Sequence, residues 1–406
     1  MLTDAEWALD FFREGVVLVR GMPGAGKTLL VARAVSGFGN VAWFTFYETG
    51  DRLARYLTSV GLRPPAHVFD LVSVREKAPV EFIVEKVLEL KPDAVVVDGL
   101  SALAAEGERE LVHAIFYHGI SRERPVILIK EGVETTPVDY VADTIIEVEH
   151  RLLEGGGSIR NVKILKARGR AVRYVSLPYV ITEEGPVVIT PREEGRPSPV
   201  KRIPTGLTEV DSALGGGWLE GSFVAVVGPP DGLASKLMAV SMGWLAMQGY
   251  KILYSYHKPT ASFIKTAENL GFDTSRIDWR FSSPSRAKSS CWWYEMFSLA
   301  ARGGYDGVVF DQMELLGGEV VYLLEGVAAV CGAGRCPLVA FIFNSYRTWR
   351  EAGDKIAALM DYILVLKRRR IILHTPDKLQ LHIFNWGLDE MGRPEFYDLF
   401  HKGSSD

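Results

Sequence analysis

The chain has no apolar run long enough to cross a bilayer: its clearest ones, residues 94–97 and 362–366, fall far short of the roughly 20 residues that a spanning helix needs. Cysteine is scarce. The three present, Cys291, Cys331 and Cys336, lack metal-ligand spacing, which argues against a zinc site or a disulfide framework and for small buried side chains. Positive charge is not in excess either, since 46 Lys and Arg face 50 Asp and Glu for a net charge of -4. Such a balance offers no general attraction to nucleic acid or to an anionic membrane, and leaves open only a local basic face. No long low-complexity tract breaks the sequence, so disorder is not indicated. The opening Met-Leu-Thr-Asp lacks the basic-then-apolar pattern of a secretory leader. A cytoplasmic protein with no membrane attachment is therefore expected.

What is present is a repeated α/β pattern. With 406 residues and a usual domain size of about 100–200, two domains are expected. In the first half, short β-rich apolar runs at 16–19, 41–46, 94–97, 126–129 and 144–148 alternate with longer helical patterns, the signature of βαβ units and a mostly parallel sheet flanked by helices. Residues 191–204 are rich in Pro, Arg, Glu and Gly without apolar period and read as a linker. Beyond it the same order returns at 223–227, 251–254, 307–310, 338–343 and 362–366. The spacing predicts an internal duplication, with domains at 1–190 and 205–406.

The chemistry concentrates early. Gly21-Met22-Pro23-Gly24-Ala25-Gly26-Lys27-Thr28 satisfies the phosphate-loop pattern, in which small residues let backbone N–H groups surround phosphates. A strand before it and a helix after it complete the context, so backbone from Gly21, Gly24, Ala25, Gly26, Lys27, Thr28 and Leu29 is expected to hold ATP. Lys27 reaches the β- and γ-phosphates in this reading, and the Thr28 hydroxyl holds Mg²⁺. Asp98 closes the buried run 94–97, where a carboxylate at the sheet edge helps to hold Mg²⁺; taken alone it also reads as a turn Asp. Glu48 follows the run 41–46 and is the candidate to orient or deprotonate the attacking water.

Two further stretches carry a resemblance. Thr205-Gly-Leu-Thr-Glu-Val-Asp211, then Leu214-Gly-Gly-Gly-Trp-Leu-Glu-Gly-Ser222 and the strand that follows, resemble the entry to a KaiC-type domain of the RecA superfamily. Leu165-Lys-Ala-Arg-Gly169 and Leu177-Pro-Tyr-Val-Ile-Thr-Glu-Glu-Gly185 resemble the closing strands of such a domain. The resemblance covers nearly the whole chain as two tandem RecA-like domains. It implies an ATPase assembled as a homo-oligomer, usually a hexameric ring, with nucleotide held between neighbouring subunits. It also implies that Lys166 and Arg168, which match the family's Lys-x-Arg-Gly motif, reach a neighbour's γ-phosphate; read alone they are a basic, solvated strand end. Where the family commonly has paired Glu, this chain has Tyr47-Glu48, so slow hydrolysis is expected.

The second half departs from the pattern. Aligned on Gly228, its loop reads Gly228-Pro-Pro-Asp-Gly-Leu-Ala-Ser235, which puts Ala234 in the place of the lysine and adds Asp231. Tyr256-His257-Lys258 stands in the place of the catalytic acids and Phe384-Asn-Trp-Gly387 in that of Lys-x-Arg-Gly, while Asp311 still ends its run. A pseudo-ATPase domain kept for packing or for a protein partner is expected. The whole then reads as a regulatory ATPase with its site in the first domain. The rival reading is a recombinase-paralogue-like DNA-binding protein gated by ATP. Lys367-Arg-Arg-Arg370, Trp218 and Trp292-Trp293 are weaker candidates for contact with nucleic acid or a partner, and read equally as a solvated turn and as core aromatics.

Overall fold

The computed structural model describes residues 10–71, 79–103, 105–117, 120–152, 158–172, 175–182, 185–189, 201–258, 262–269, 271–288, 292, 295–296, 299–300, 304–320, 337–367, 370–375 and 380–385. Cys291, Cys331, Cys336, Trp293, the central part of 367–370, residues 386–387 and most of the expected linker lie outside these. The chain divides at Pro191 into two compact units.

The first unit runs β1 (Val16–Gly21), α1 (Lys27–Val35), β2 (Val41–Thr45), α2 (Gly50–Ser59), β3 (His67–Asp70), α3 (Pro79–Leu90), β4 (Ala94–Asp98), α4 (Ala105–Tyr117), α5 (Ile120–Glu123), β5 (Val126–Glu131) and α6 (Pro137–Val141). It closes with β6 (Thr144–Leu152), β7 (Ser158–Ala167), β8 (Ser176–Thr182) and β9 (Gly185–Val188). The strand order is β3-β2-β4-β5-β1-β6-β7-β8-β9. From β3 to β6 neighbours pair in parallel, and from β6 to β9 they alternate in direction. The central strands are almost wholly apolar because both faces are covered. Val17, Val19, Trp43, Val96 and Ile127 pack against Leu29 and Leu30 of α1. The alternate residues Val16, Leu18, Phe44, Val97 and Leu128 pack against Ile83 and Val87 of α3 and Leu111 of α4.

One buried polar cluster ties α6 to the centre of this sheet. Asp139, 6% exposed, accepts Lys130 Nζ at 2.6 Å and Arg20 Nη1 at 2.7 Å, and its carboxylate also caps α6 through the Thr136 N–H. Burial alone would raise the Asp139 carboxyl, but the hydrogen bonds from Lys130 and the Thr136 backbone, with the charges of Lys130 and Arg20, hold it below the usual carboxylate range.

The second unit repeats the frame after a short antiparallel pair, β10 (Arg202–Ile203) with β11 (Trp218–Leu219), which brackets α7 (Thr208–Leu214). Arg202 and Ile203, assigned to the linker by composition, are thus part of the second unit: their ladder with Trp218–Leu219 supplies backbone partners that composition does not register. The carboxylate of Asp211 accepts the N–H groups of Thr205 and Gly206, which gives the entry motif a structural role. Next come β12 (Phe223–Val227), α8 (Leu233–Met247), β13 (Ile252–Tyr256), α9 (Ser262–Asn269), β14 (Ile277–Phe281) and α10 (Pro284–Ala287). They are followed by β15 (Gly307–Phe310), β16 (Leu338–Phe343), α11 (Tyr346–Ala357), β17 (Tyr362–Lys367), β18 (Arg370–Thr375) and β19 (Gln380–Asn385). The order β14-β13-β15-β16-β12-β17-β18-β19 matches β3-β2-β4-β5-β1-β6-β7-β8 strand for strand. Trp218 and Trp292 are buried, 2% and 4% exposed, so they fill the core rather than offer a surface anchor.

The Asp139 cluster yields a stability prediction. Asp139→Ala leaves the buried Lys130 ammonium without its carboxylate, while Arg20 keeps Glu147, and is expected to cost about 3–5 kcal/mol, read by denaturant unfolding at neutral pH. A cost below about 1 kcal/mol would show that the ammonium and guanidinium find other partners.

Candidate nucleotide site

β1 lies between β5 and β6, so the chain leaving its carboxyl end turns where crossovers on either side diverge. The turn is Gly21 to Thr28. A Cβ at Gly21, whose φ is +151°, would fall 2.2 Å from the Val148 carbonyl oxygen of β6. At Gly26, with φ +101°, a Cβ would meet the Tyr179 ring at 3.0 Å, and the Tyr179 hydroxyl donates to the Gly26 carbonyl at 3.0 Å. β8 thus braces the end of the loop from behind. Ala25 and Leu29 are buried beneath it, 0% and 2% exposed, and Gly24 has left-handed backbone at φ +77°. α1 begins at Lys27, and its first N–H groups lie at the loop.

The Lys27 ammonium, 4% exposed, donates to the carbonyls of Gly21 at 2.9 Å and Met22 at 3.0 Å and to Glu131 Oε2 at 2.7 Å. One residue on, Thr28 Oγ1 donates to Asp98 Oδ2 at 3.1 Å. Burial pushes the Asp98 carboxyl up to about 7; the Thr28 hydrogen bond and Lys27 pull it down, and Glu131 and Glu48 push it further up. Glu48 is half-buried at the same edge, on a turn in which the N–H groups of Tyr47 and Glu48 approach Thr45 Oγ1. The structure therefore brings together Gly21, Gly24, Ala25, Gly26, Lys27, Thr28, Leu29, Glu48 and Asp98. It adds Glu131, which sequence reasoning missed: an isolated Glu at the end of an apolar run carries no signal of its own.

The oxygens of Thr28 and Asp98 are spaced as adjacent corners of a Mg²⁺ octahedron, about 3 Å apart for bonds of 2.0–2.1 Å. Among the described residues no group of three His, Cys, Asp or Glu side chains could hold a metal by itself. That fits an ion taking its other ligands from phosphate and water.

Lys166 and Arg168 are not at this site. Lys166 Nζ donates to the carbonyls of Asp139 and Tyr140 at 3.1 Å each, and Arg168 Nη1 to Asp143 Oδ1 at 3.2 Å. The Arg168 N–H bonds the Asp143 carbonyl, and the Asp143 N–H bonds that of Val16. Arg168 is therefore level with Val16, five residues or ~16 Å short of Gly21 along the strands and two strand spacings, ~10 Å, to the side. Its side chain cannot reach Lys27 of its own chain.

The equivalent loop of the second unit is filled from within. Ala234 stands where the lysine would be, and a Cβ on Gly228 would come 2.9 Å from the Ala234 Cβ. Asp231 Oδ1 accepts the Leu233 N–H at 3.0 Å, taking a donor at the helix start. Ser235 Oγ donates to Asp311 Oδ1 at 2.7 Å, Asn344 Nδ2 to Ser235 Oγ at 2.8 Å and the Tyr254 hydroxyl to Asp311 Oδ2 at 3.0 Å. Gln312, at φ +63°, accepts the N–H groups of His257 and Lys258 through Oε1. Burial raises the Asp311 carboxyl to about 7, with the Ser235 and Tyr254 hydrogen bonds opposing.

No protein-family model matches the chain. It is similar to the circadian clock oscillator protein KaiC of Nostoc sp. (strain PCC 7120 / SAG 25.82 / UTEX 2576), 24% identical over 356 residues, covering 77% of this chain and 64% of that protein. The protein of the same name from Prochlorococcus marinus (strain MIT 9313) is 24% identical over 206 residues, 44% of this chain and 40% of the relative. That from Synechococcus elongatus (strain ATCC 33912 / PCC 7942 / FACHB-805) is 27% identical over 158 residues, 37% and 29%. The chain spans less than two thirds of the length of each relative.

The buried Asp311 sets a pH dependence. A carboxyl whose folded pKa is raised binds its proton more tightly folded than unfolded, so its contribution to stability falls as pH rises from about 4 to 7. The stability of wild type minus that of Asp311→Asn should drop by about 1.4 kcal/mol per pH unit in this window and level off above it, read by denaturant unfolding. A difference independent of pH would show that Asp311 stays ionised.

Proposed function

Because the chain is a KaiC-like protein of the RecA superfamily, we propose that its first unit binds ATP with Mg²⁺ and hydrolyses it slowly, in a site completed by a neighbouring copy. The observation that carries this reading is the Thr28–Asp98 hydrogen bond beside Lys27, two metal-ligand oxygens already adjacent at the mouth of a phosphate loop. Loop N–H groups from Gly24 to Leu29 surround the phosphates, and Lys27 exchanges protein acceptors for β- and γ-phosphate oxygens. Thr28 and Asp98 would hold Mg²⁺, which would supply positive charge beside the phosphates. Glu48 orients the attacking water and takes its proton. Tyr47 stands where a second carboxylate would help, and turnover is slow for that reason.

The distance of Arg168 from its own loop supports a site shared between copies, in which Lys166 and Arg168 stabilise charge on a neighbour's γ-phosphate. Their present partners are exchangeable: Arg168 is 60% exposed in an ion pair of a kind worth about 0–1 kcal/mol. Exposed apolar side chains lie around both places, Met22, Tyr47 and Val133 by the loop and Tyr140, Leu165 and Val175 by Lys166. Two different patches of this kind suit a head-to-tail contact, which closes into a ring or extends as a filament. The second unit, whose Ser235, Asp311, Tyr254 and Asn344 side chains bond one another at the place of the site, takes a packing or partner-binding role.

The test is ATP turnover against protein concentration, with mass followed by light scattering. Turnover should rise with assembly, Lys27→Ala should lose binding and turnover together, and Arg168→Ala should keep ATP while losing at least ~100-fold in rate. ATP binding without turnover at every concentration would make the protein a nucleotide-gated binding module and remove the catalytic roles of Glu48 and Arg168.

A further inference from the structure

Lys27 has three N–H bonds and three protein acceptors, so every donor of its ammonium is matched within the chain. Two of the acceptors are carbonyls of its own loop; the third, Glu131, is the one full negative charge among them. We propose that Glu131 is a built-in substitute for nucleotide phosphate, an anion that holds Lys27 until nucleotide arrives and makes binding selective for Mg²⁺-complexed over free nucleotide. The proposal rests on the reading of this loop as an ATP site and concerns how that site chooses its ligand.

The main chain of Glu131 is fixed on both sides. Its N–H donates to Ser101 Oγ at 2.9 Å, and that hydroxyl donates to the Glu131 carbonyl at 3.1 Å. The next residue, Gly132, exchanges two backbone hydrogen bonds with Gly21, the first residue of the loop, both at 3.1 Å. A phosphate that takes Lys27 can therefore swing the carboxylate aside but cannot send it away. The displaced Glu131 remains at the phosphate site with Asp98 and Glu48, whose charges also act there. Bare triphosphate meets this group of carboxylates with its full charge, whereas a Mg²⁺ complex arrives partly neutralised and gains Thr28 and Asp98 as ligands.

The second unit is an internal comparison. Gly21 pairs with Glu131 across β1 and β5; in the second unit Val227 pairs with Phe343 across β12 and β16, so the next residues, Gly228 and Asn344, stand in the places of Gly21 and Glu131. Ala234 stands in the place of Lys27. Cation and anion are replaced together, Ala for Lys and Asn for Glu, as expected if Glu131 serves the lysine rather than the sheet.

The experiment is titration of the full chain with a fluorescent ADP or ATP analogue, in Mg²⁺ and in EDTA, for wild type, Glu131→Gln and Glu131→Ala, with circular dichroism confirming the fold. The wild type should bind the Mg²⁺ complex far more tightly than free nucleotide. Both variants should bind free nucleotide at least about tenfold tighter than wild type while changing Mg²⁺-nucleotide affinity less, so the Mg²⁺ preference shrinks. A folded variant with unaltered Mg²⁺ preference, in a protein whose wild type binds nucleotide, overturns the role of Glu131 and leaves the ATP reading intact. Absence of nucleotide binding in wild type and both variants overturns the ATP reading and the proposal with it.

Discussion

The position of β1 between β5 and β6 governs the first unit. Crossovers to its two sides diverge there, so the chain leaving the carboxyl end of β1 can turn without being covered by a following crossover. The register decides which residues flank the loop: Gly21 pairs with Glu131 on one side, and Arg20 with Glu147 on the other. β4, next beyond β5, delivers Asp98 to the same edge. The tight turn into α1 follows from the Val148 carbonyl beneath Gly21 and the Tyr179 ring beneath Gly26, which leave no room for a Cβ. Loop shape, lysine position and carboxylate positions are thus consequences of strand order.

The second unit separates frame from chemistry. Its sheet has the same order, and its helix α8 also starts from a left-handed glycine, Gly232, which stands in the place of Ala25, one position before that of Gly26. The interior of its loop is nevertheless closed by Ala234, and its carboxylate and hydroxyl are saturated by Tyr254 and Asn344. A buried polar group is tolerated when each partner is supplied by protein, and such a network removes any need for metal or phosphate.

The ten central strands were legible because burial on both faces makes them almost continuously apolar, as in Val16–Gly21 and Leu338–Phe343. The edge strands β3 and β14 were not: His67–Asp70 and Ile277–Phe281 are partly exposed, mix polar with apolar residues and carry no period. The phosphate-loop pattern was legible because its residues, Gly21 to Thr28, are contiguous in sequence. Glu131 was invisible for the opposite reason, since its partner Lys27 lies 104 positions away and only the sheet register joins them. The strand Arg202–Ile203 was not legible, because two residues are too few for any period to show.

The pairing of Lys27 with Glu131 also bears on how the phosphate-loop residues can be replaced without losing the fold. Removing the lysine alone would leave a carboxylate facing Asp98 with no cation, a repulsion inside a half-buried cleft. Removing the glutamate alone would leave a buried ammonium with only backbone carbonyls. Exchanging both for Ala and Asn removes one charge of each sign and fills the space with an apolar contact and a hydrogen bond, as between Gly228, Ala234, Asn344 and Ser235. The coupled exchange removes the cation and the anion together, so neither Lys nor Glu is left without the other in the second unit.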